Sequence, residues 1–278
     1  MFGVIDVGGG TRGAYGAGVF DYFLDNGIDF DYCIGVSAGS ANCASYLGGQ
    51  RSRNYRFYTD YGFRKEYMGF GNLIKTGSYI NFRYIYGTLS NSDGEDPLDY
   101  DKILDNKAIY KIVATDAESG EAVYFDKTHG MSSDNYLALM ASCCVPLANK
   151  PVVINNHKYF DGGVADPVPI DKAIEDGCTK LVIILTKPVT MGDNVKRNAR
   201  AARLLKWKYP NAAAALKSRS ELYSQSLKKA LQFEKEGKAV VIAPSDISGM
   251  GTLTKDLASI KKLYESGMKD ADKIMRLL

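Results

Sequence analysis

Hydrophobic and polar positions along this chain alternate between two regimes. The short apolar runs Val4–Val7 and Cys33–Val36 are each followed by a stretch with helical spacing, Tyr15–Asp25 and Ser40–Leu47. Strand-length and helix-length patterns in turn are the mark of βαβ units and a largely parallel sheet. Asn26-Gly27 gives the first helix a C-terminal stop. Further candidate strands are Ile109–Thr115, Ala122–Phe125, Val152–Ile154, Lys158–Phe160, Leu181–Leu185 and Ala239–Ile242. Leu181–Leu185 lacks polar alternation, as expected of a strand covered by helices on both faces. Glu118-Ser119-Gly120-Glu121 and Asn155-Asn156 separate paired strand-like runs and read as hairpin turns, which predicts antiparallel pairing at one edge or end of the sheet.

The pattern predicts a three-layer α/β/α sandwich around a mostly parallel central sheet. With no internal repeat and no low-complexity linker, a single domain over residues 1–278 is the economical reading. Its core spans 3–185 with a last strand in 239–244, a basic helical segment at 196–238 and a C-terminal helical segment at 245–278.

Composition narrows the function classes. The chain has 278 residues, 45% of them hydrophobic, enough for a sizeable core. Its net charge of +3 is too small for a nucleic-acid binder. Five cysteines without a CxxC pair suggest reduced thiols and a cytoplasmic location rather than a disulfide framework or a zinc site. The first residues run straight into a strand without a secretory pattern, and no stretch is apolar enough to span a bilayer, so membrane contact is expected only at the surface.

Gly35-Val36-Ser37-Ala38-Gly39 matches G-x-S-x-G and lies between an apolar strand and a helix of small residues, the context of a nucleophile elbow. The alternative is an ordinary tight turn with a capping serine. Gly8-Gly9-Gly10-Thr11-Arg12-Gly13 follows the first strand and offers a row of unhindered backbone N–H groups. These could serve a tetrahedral oxyanion or, as G-x-G-x-x-G, a dinucleotide pyrophosphate. The second strand ends in Val36 and Ser37 where a dinucleotide site wants an acidic residue. A glycine turn for close helix packing is the plain alternative.

A serine nucleophile needs a base, and only His129 and His157 are histidines, both in turn-like contexts. The acidic residue Asp161, which ends a strand in Phe160-Asp161-Gly162-Gly163-Val164, is the better candidate, because burial can raise a carboxylate toward the working range. On its own, Asp-Gly-Gly also reads as a plain turn.

Taken in order, Gly8–Gly13, Gly35–Gly39 and Asp161–Gly163 resemble the glycine loop, G-x-S-x-G and D-G-G motifs of the patatin-like phospholipases. Ala141-Ser142-Cys143-Cys144-Val145-Pro146 is similar to the family's A-S-x-x-x-P segment, and Asp166-Pro167-Val168-Pro169 completes its D-G-G run. The resemblance covers about Gly3 to Leu185. It implies a patatin-like fold and a lipid acyl hydrolase with Ser37 as nucleophile, Asp161 as base, Gly8, Gly9, Gly10 and Arg12 around the oxyanion and substrate, and no metal or cofactor. Its substrate would be a phospholipid or another fatty-acyl ester. Asp6-Val7-Gly8 departs from the family, in which aspartate often directly precedes the first glycine, and this leaves the loop's anchoring open.

Two segments stand apart. Arg51–Tyr86 crowds aromatic residues among Arg and Lys and is expected to form an acyl channel or lid, with plain packing as the equal alternative. No nucleic-acid motif accompanies it. Lys196–Lys238 holds twelve basic residues against Glu221, Glu234 and Glu236, a net of +9 that leaves the remainder of the chain at −6. It reads as two helices interrupted at Pro210, with a buried stripe of Ala212, Leu216, Tyr223, Leu227 and Leu231. The charged face is either simply solvated or meets anionic lipid head groups. The acidic stretch from Asp93 to Asp105 does not fit a calcium loop and is expected to be a solvated loop and helix start. Two readings of other classes remain, a non-catalytic lipid-binding protein of the same fold and a Rossmann-type nucleotide binder. The sequence is silent on oligomeric state.

Overall fold

The structure, a computed structural model, describes residues 1–278. Eight strands form one sheet: β1 (Phe2–Asp6), β2 (Tyr32–Val36), β3 (Ile109–Asp116), β4 (Ala122–Asp126), β5 (Val152–Ile154), β6 (His157–Asp161), β7 (Lys180–Ile184) and β8 (Ala239–Ile242). The helices are α1 (Ala14–Asp25), α2 (Ala38–Leu47), α3 (Arg53–Thr59), α4 (Phe70–Thr76), α5 (Phe82–Tyr84), α6 (Tyr100–Asp105), α7 (Leu137–Ser142), α8 (Ile170–Glu175), α9 (Val195–Leu205), α10 (Pro210–Lys235) and α11 (Leu257–Asp270).

Strands β3, β2, β1, β7 and β8 run parallel in that order. Alternate side chains of each go to opposite faces, as the strand period of two requires. Val4, Cys33, Tyr110, Ile112, Val182, Ile184, Val240 and Ile242 join a core with residues of α1, α2 and α11. Ile5, Ile34, Val113, Leu181, Ile183 and Val241 join a second core with residues of α8 and α10. With both faces covered, the β7 residues Leu181 to Ile184 have no exposed surface. Each such side chain contributes on the order of 1.5–3 kcal/mol relative to full exposure. The layering is the α/β/α sandwich predicted by the hydrophobic alternation.

Both expected hairpins form. Glu118–Glu121 joins β3 to antiparallel β4, and Asn155 and Asn156, each with positive φ, join β5 to antiparallel β6. Strand β3 is longer than its parallel neighbour, and this shapes the site. Its residues Ala114 and Thr115 pair with β4 on one edge and with β6 on the other. Since β2 also lies opposite β4 on β3, β2 and β6 must share an edge and meet end to end. Val36 pairs with Val113, and Asp161 pairs with the next residue, Ala114.

Two expectations need correction. The acidic stretch is not all solvated: Asp96 is buried, with Arg53 and Arg56 on its carboxylate, because it neutralises arginines of the aromatic segment. The second helix begins at Ala38 rather than Ser40, directly after the serine, because Gly39 lets that first turn press onto Asp6.

Candidate active site

The head-on meeting of β2 and β6 brings Ser37 and Asp161 together. Ser37 follows β2 with φ 55° and ψ −131° and caps α2, a conformation that non-glycine residues adopt only under strain. The neighbouring glycines leave no alternative: a Cβ at Gly35 would stand 2.4 Å from Ser40 Cα, and one at Gly39 2.2 Å from the Asp6 carbonyl oxygen. Two bonds from outside hold the turn. The Ser37 N–H donates to Ser142 Oγ at 2.9 Å, and the Ser40 hydroxyl donates back to the Ser37 carbonyl at 2.6 Å.

Asp161 opens a 3-10 turn at Gly162–Val164 and accepts the Gly163 N–H on Oδ1 at 2.8 Å. The end-to-end meeting of β2 and β6 sets the Ser37 side chain close to this carboxylate. Burial raises its pKa above the usual carboxylate range, while the nearby Ser37 side chain, the bond from Gly163 and the charge of Arg219 oppose that rise. The Asp161 N–H donates to the Cys144 carbonyl at 2.8 Å, just beyond α7.

The glycine loop lies beside this pair. Gly8, with φ 60°, has no room for a side chain, since a Cβ would stand 2.2 Å from the Val36 carbonyl oxygen. Its N–H is taken by Asp6 Oδ1 at 2.9 Å, and its carbonyl by the Thr186 hydroxyl. The extra Val7 therefore does not unmoor the loop. Asp6 is wholly buried; burial pushes its pKa up to about 6 against the bonds from Asn42 and Gly8. Thr11 N–H donates to the Thr252 carbonyl at 2.9 Å, whereas the N–H groups of Gly9 and Gly10 have no protein acceptor. The Arg12 side chain reaches Thr252 Oγ1 at 3.5 Å and leaves its Nε buried without a partner. Burial, then the charges of Arg197 and Arg219, lower its pKa.

Ser37 lines a cavity of about 970 Å3, counting its open mouth. Phe57, Tyr58, Tyr67, Phe82 and Tyr86 of the aromatic segment form much of the wall, and Thr252–Lys255 form another part. Neither histidine lines it; His129 and His157 are exposed and face Asp126 and Asp116. Ser142, Asn42, Thr252 and Arg219 went unidentified from the chain alone. Ser142 lay inside a quoted motif, but nothing local marks the other three. No cluster of three or more acidic, histidine or cysteine side chains stands close enough together to hold a metal ion. No helix is long and apolar enough to cross a membrane.

Comparison with known proteins gives the chain its relatives. A family model described as patatin-like phospholipase matches residues 7–174, and one described as a domain of unknown function (DUF6363) matches residues 209–278. An uncharacterized protein of Escherichia coli, YjjU, is 26% identical over 190 residues, covering 66% of this chain and 51% of that protein. A lysophospholipase NTE1 of Scheffersomyces stipitis is 22% identical over 292 residues, 98% of this chain but 18% of that protein. The counterpart from Kluyveromyces lactis is 25% identical over 282 residues, 95% of this chain and 18% of its own. The chain thus spans about half the length of the bacterial relative and under a fifth of the yeast ones. Among solved structures, VipD from Legionella pneumophila superposes with a TM-score of 0.51 at 12% identity, covering 98% of this chain and 66% of that one, a likeness of fold. With the phospholipase family model matched over more than half of its length, this chain belongs to the patatin-like phospholipase family.

Proposed function

We propose that the chain is a lipid acyl hydrolase working through a Ser37–Asp161 dyad. In this mechanism Asp161 takes the Ser37 proton as Oγ bonds to the ester carbonyl carbon. The N–H groups of Gly9 and Gly10, with Arg12 beside them, bind the oxyanion. Collapse of the tetrahedral intermediate breaks the ester C–O bond, and the leaving alcohol takes the proton from Asp161. Water then attacks the acyl-enzyme, giving a proton to Asp161, and the fatty acid leaves as Ser37 recovers its hydrogen. The chemistry needs neither metal nor cofactor. The observation that carries the proposal is the end-to-end meeting of β2 and β6, which sets Ser37 beside the buried Asp161 carboxylate, next to two unpaired loop amides.

The substrate class follows from the family and from the yeast relatives' name, lysophospholipase: fatty-acyl esters of phospholipids or lysophospholipids. The aromatic wall of the cavity would hold the acyl chain, giving Arg51–Tyr86 its role. Peripheral contact between the basic segment 196–238 and anionic head groups belongs to the same proposal, as does a cytoplasmic location. Its support is Trp207, 95% exposed, and exposed Leu204, set among Arg203, Lys206 and Lys208. Each basic residue near such a surface contributes about 1 kcal/mol. Fatty-acid release from lysophosphatidylcholine carried in phosphatidylglycerol vesicles tests both parts. Wild type should release fatty acid and Ser37→Ala should not, with the rate falling as salt rises. Equal release by Ser37→Ala contradicts the dyad, and a salt-independent rate contradicts the surface contact.

A further inference from the structure

We infer that Arg219, on α10, is a positioning residue for Asp161 and that Asp193 orients it; the inference rests on the proposed role of Asp161 as base. The Arg219 guanidinium joins two segments. Its Nε donates to the Gly163 carbonyl, in the turn that Asp161 opens, and its Nη1 donates to the Asp193 carboxylate. Asp193, with a side chain only 5% exposed, is held in turn by the Asn198 amide at 2.7 Å, the Ser220 hydroxyl at 3.3 Å and Lys187 at 3.6 Å. Acceptors on two sides fix both the place and the plane of a guanidinium, which a lysine ammonium cannot reproduce. Gly163 is therefore held on both sides of its Cα, by Arg219 on its carbonyl and by Asp161 Oδ1 on its N–H.

Charge acts along the same path. The groups facing Asp161 are the Ser37 hydroxyl from the elbow, the Gly163 amide from its own turn, the Cys143 and Cys144 thiols from beyond α7, and Arg219 from α10. Arg219 is the one cation among them, and it works against the upward push of burial on Asp161. Asp193 partly cancels that cation's field. Burial alone would raise Asp193 as well, but the charges of Arg219 and Lys187 bring it well below its usual range, so it is ionised beside Arg219. Neutralising Arg219 should therefore raise the proton affinity of Asp161, and neutralising Asp193 should lower it. A brace with no electrostatic role would not give shifts of opposite sign.

Arg219 lies outside the stretch matched as phospholipase and inside the stretch matched as a domain of unknown function. The same C-terminal stretch supplies the Thr252 carbonyl that receives the Thr11 N–H. It thus touches the turn of the base through Arg219 and the glycine loop through Thr252, which gives that stretch a part in the active centre.

The test is a 13C titration of the Asp161 carboxyl, assigned by difference from Asp161→Asn, in wild type, R219Q, R219K and D193N, beside kcat/KM against pH. The Asp161 midpoint should move up in R219Q and down in D193N. R219K should return it toward wild type while kcat stays depressed, by up to about 10²-fold, because the two-sided hold is gone. Midpoints that stay put, or that move the same way in R219Q and D193N, in variants that melt as cooperatively as wild type, overturn the inference. A carboxyl midpoint that moves as expected while the activity profile does not follow keeps Arg219's hold on Asp161 and removes Asp161 as the base.

Discussion

Asp161 is where chemistry and stability oppose each other. Burial raises its folded-state pKa above its unfolded value, so the folded protein binds this proton more tightly than the unfolded chain. The stability it contributes is then full below the unfolded carboxylate pKa and is lost as pH rises through the folded value. A base, by contrast, works only once that proton has gone. Asp161→Asn removes the titration while keeping the shape. Its melting temperature relative to wild type should therefore climb as pH rises from the ordinary carboxylate range through the raised folded-state value of Asp161, as its activity is lost. Melting curves across that range check this; a constant difference would mean that the carboxylate is not held against its ionisation. Asp6 and Asp166, each pushed up to about 6 by burial, titrate in the same sense and are common to both proteins, so they cancel in the comparison.

Among the elements, the end of α7 serves as the clamp of the site. Ser142 in its last turn receives the Ser37 N–H, and Cys144 just beyond it receives the Asp161 N–H, so one short helix registers both partners. Ser142→Ala would strand a part-buried donor at the elbow, at a cost toward the lower end of about 1–3 kcal/mol. A lowered denaturation midpoint, restored by Ser142→Thr, is the expected result, and an unchanged Ser142→Ala midpoint would show the bond to be dispensable. This division also explains what could be read from the chain. The elbow and the Asp-Gly-Gly turn were legible because their steric demands fall on adjacent residues, as the blocked Cβ positions at Gly35 and Gly39 illustrate. Ser142 sat in a recognised motif, but its partner is 105 residues away, and no local pattern carries such a pairing. The short helices α3, α4 and α5 were equally hidden, since three to seven residues do not establish a period.

In the whole molecule, the parallel strands β3, β2, β1, β7 and β8 were readable because each is a buried run bounded by helical spacing. The sharing of one β3 edge by β2 and β6 was not, because it depends on β3 outrunning its neighbour, a matter of register rather than composition. That register sets Ser37 against Asp161 and underlies the proposed chemistry. Nor did sequence alone mark Arg219 and Thr252, which reach the site from a stretch with no catalytic motif. The most direct measurement is the rate and position of labelling by a fluorophosphonate, followed by peptide mass mapping. The account predicts a single adduct on Ser37 in wild type, none in Ser37→Ala and strongly slowed labelling in Asp161→Asn. An adduct on another serine, an unreactive Ser37, or Asp161→Asn reacting as fast as wild type would contradict it.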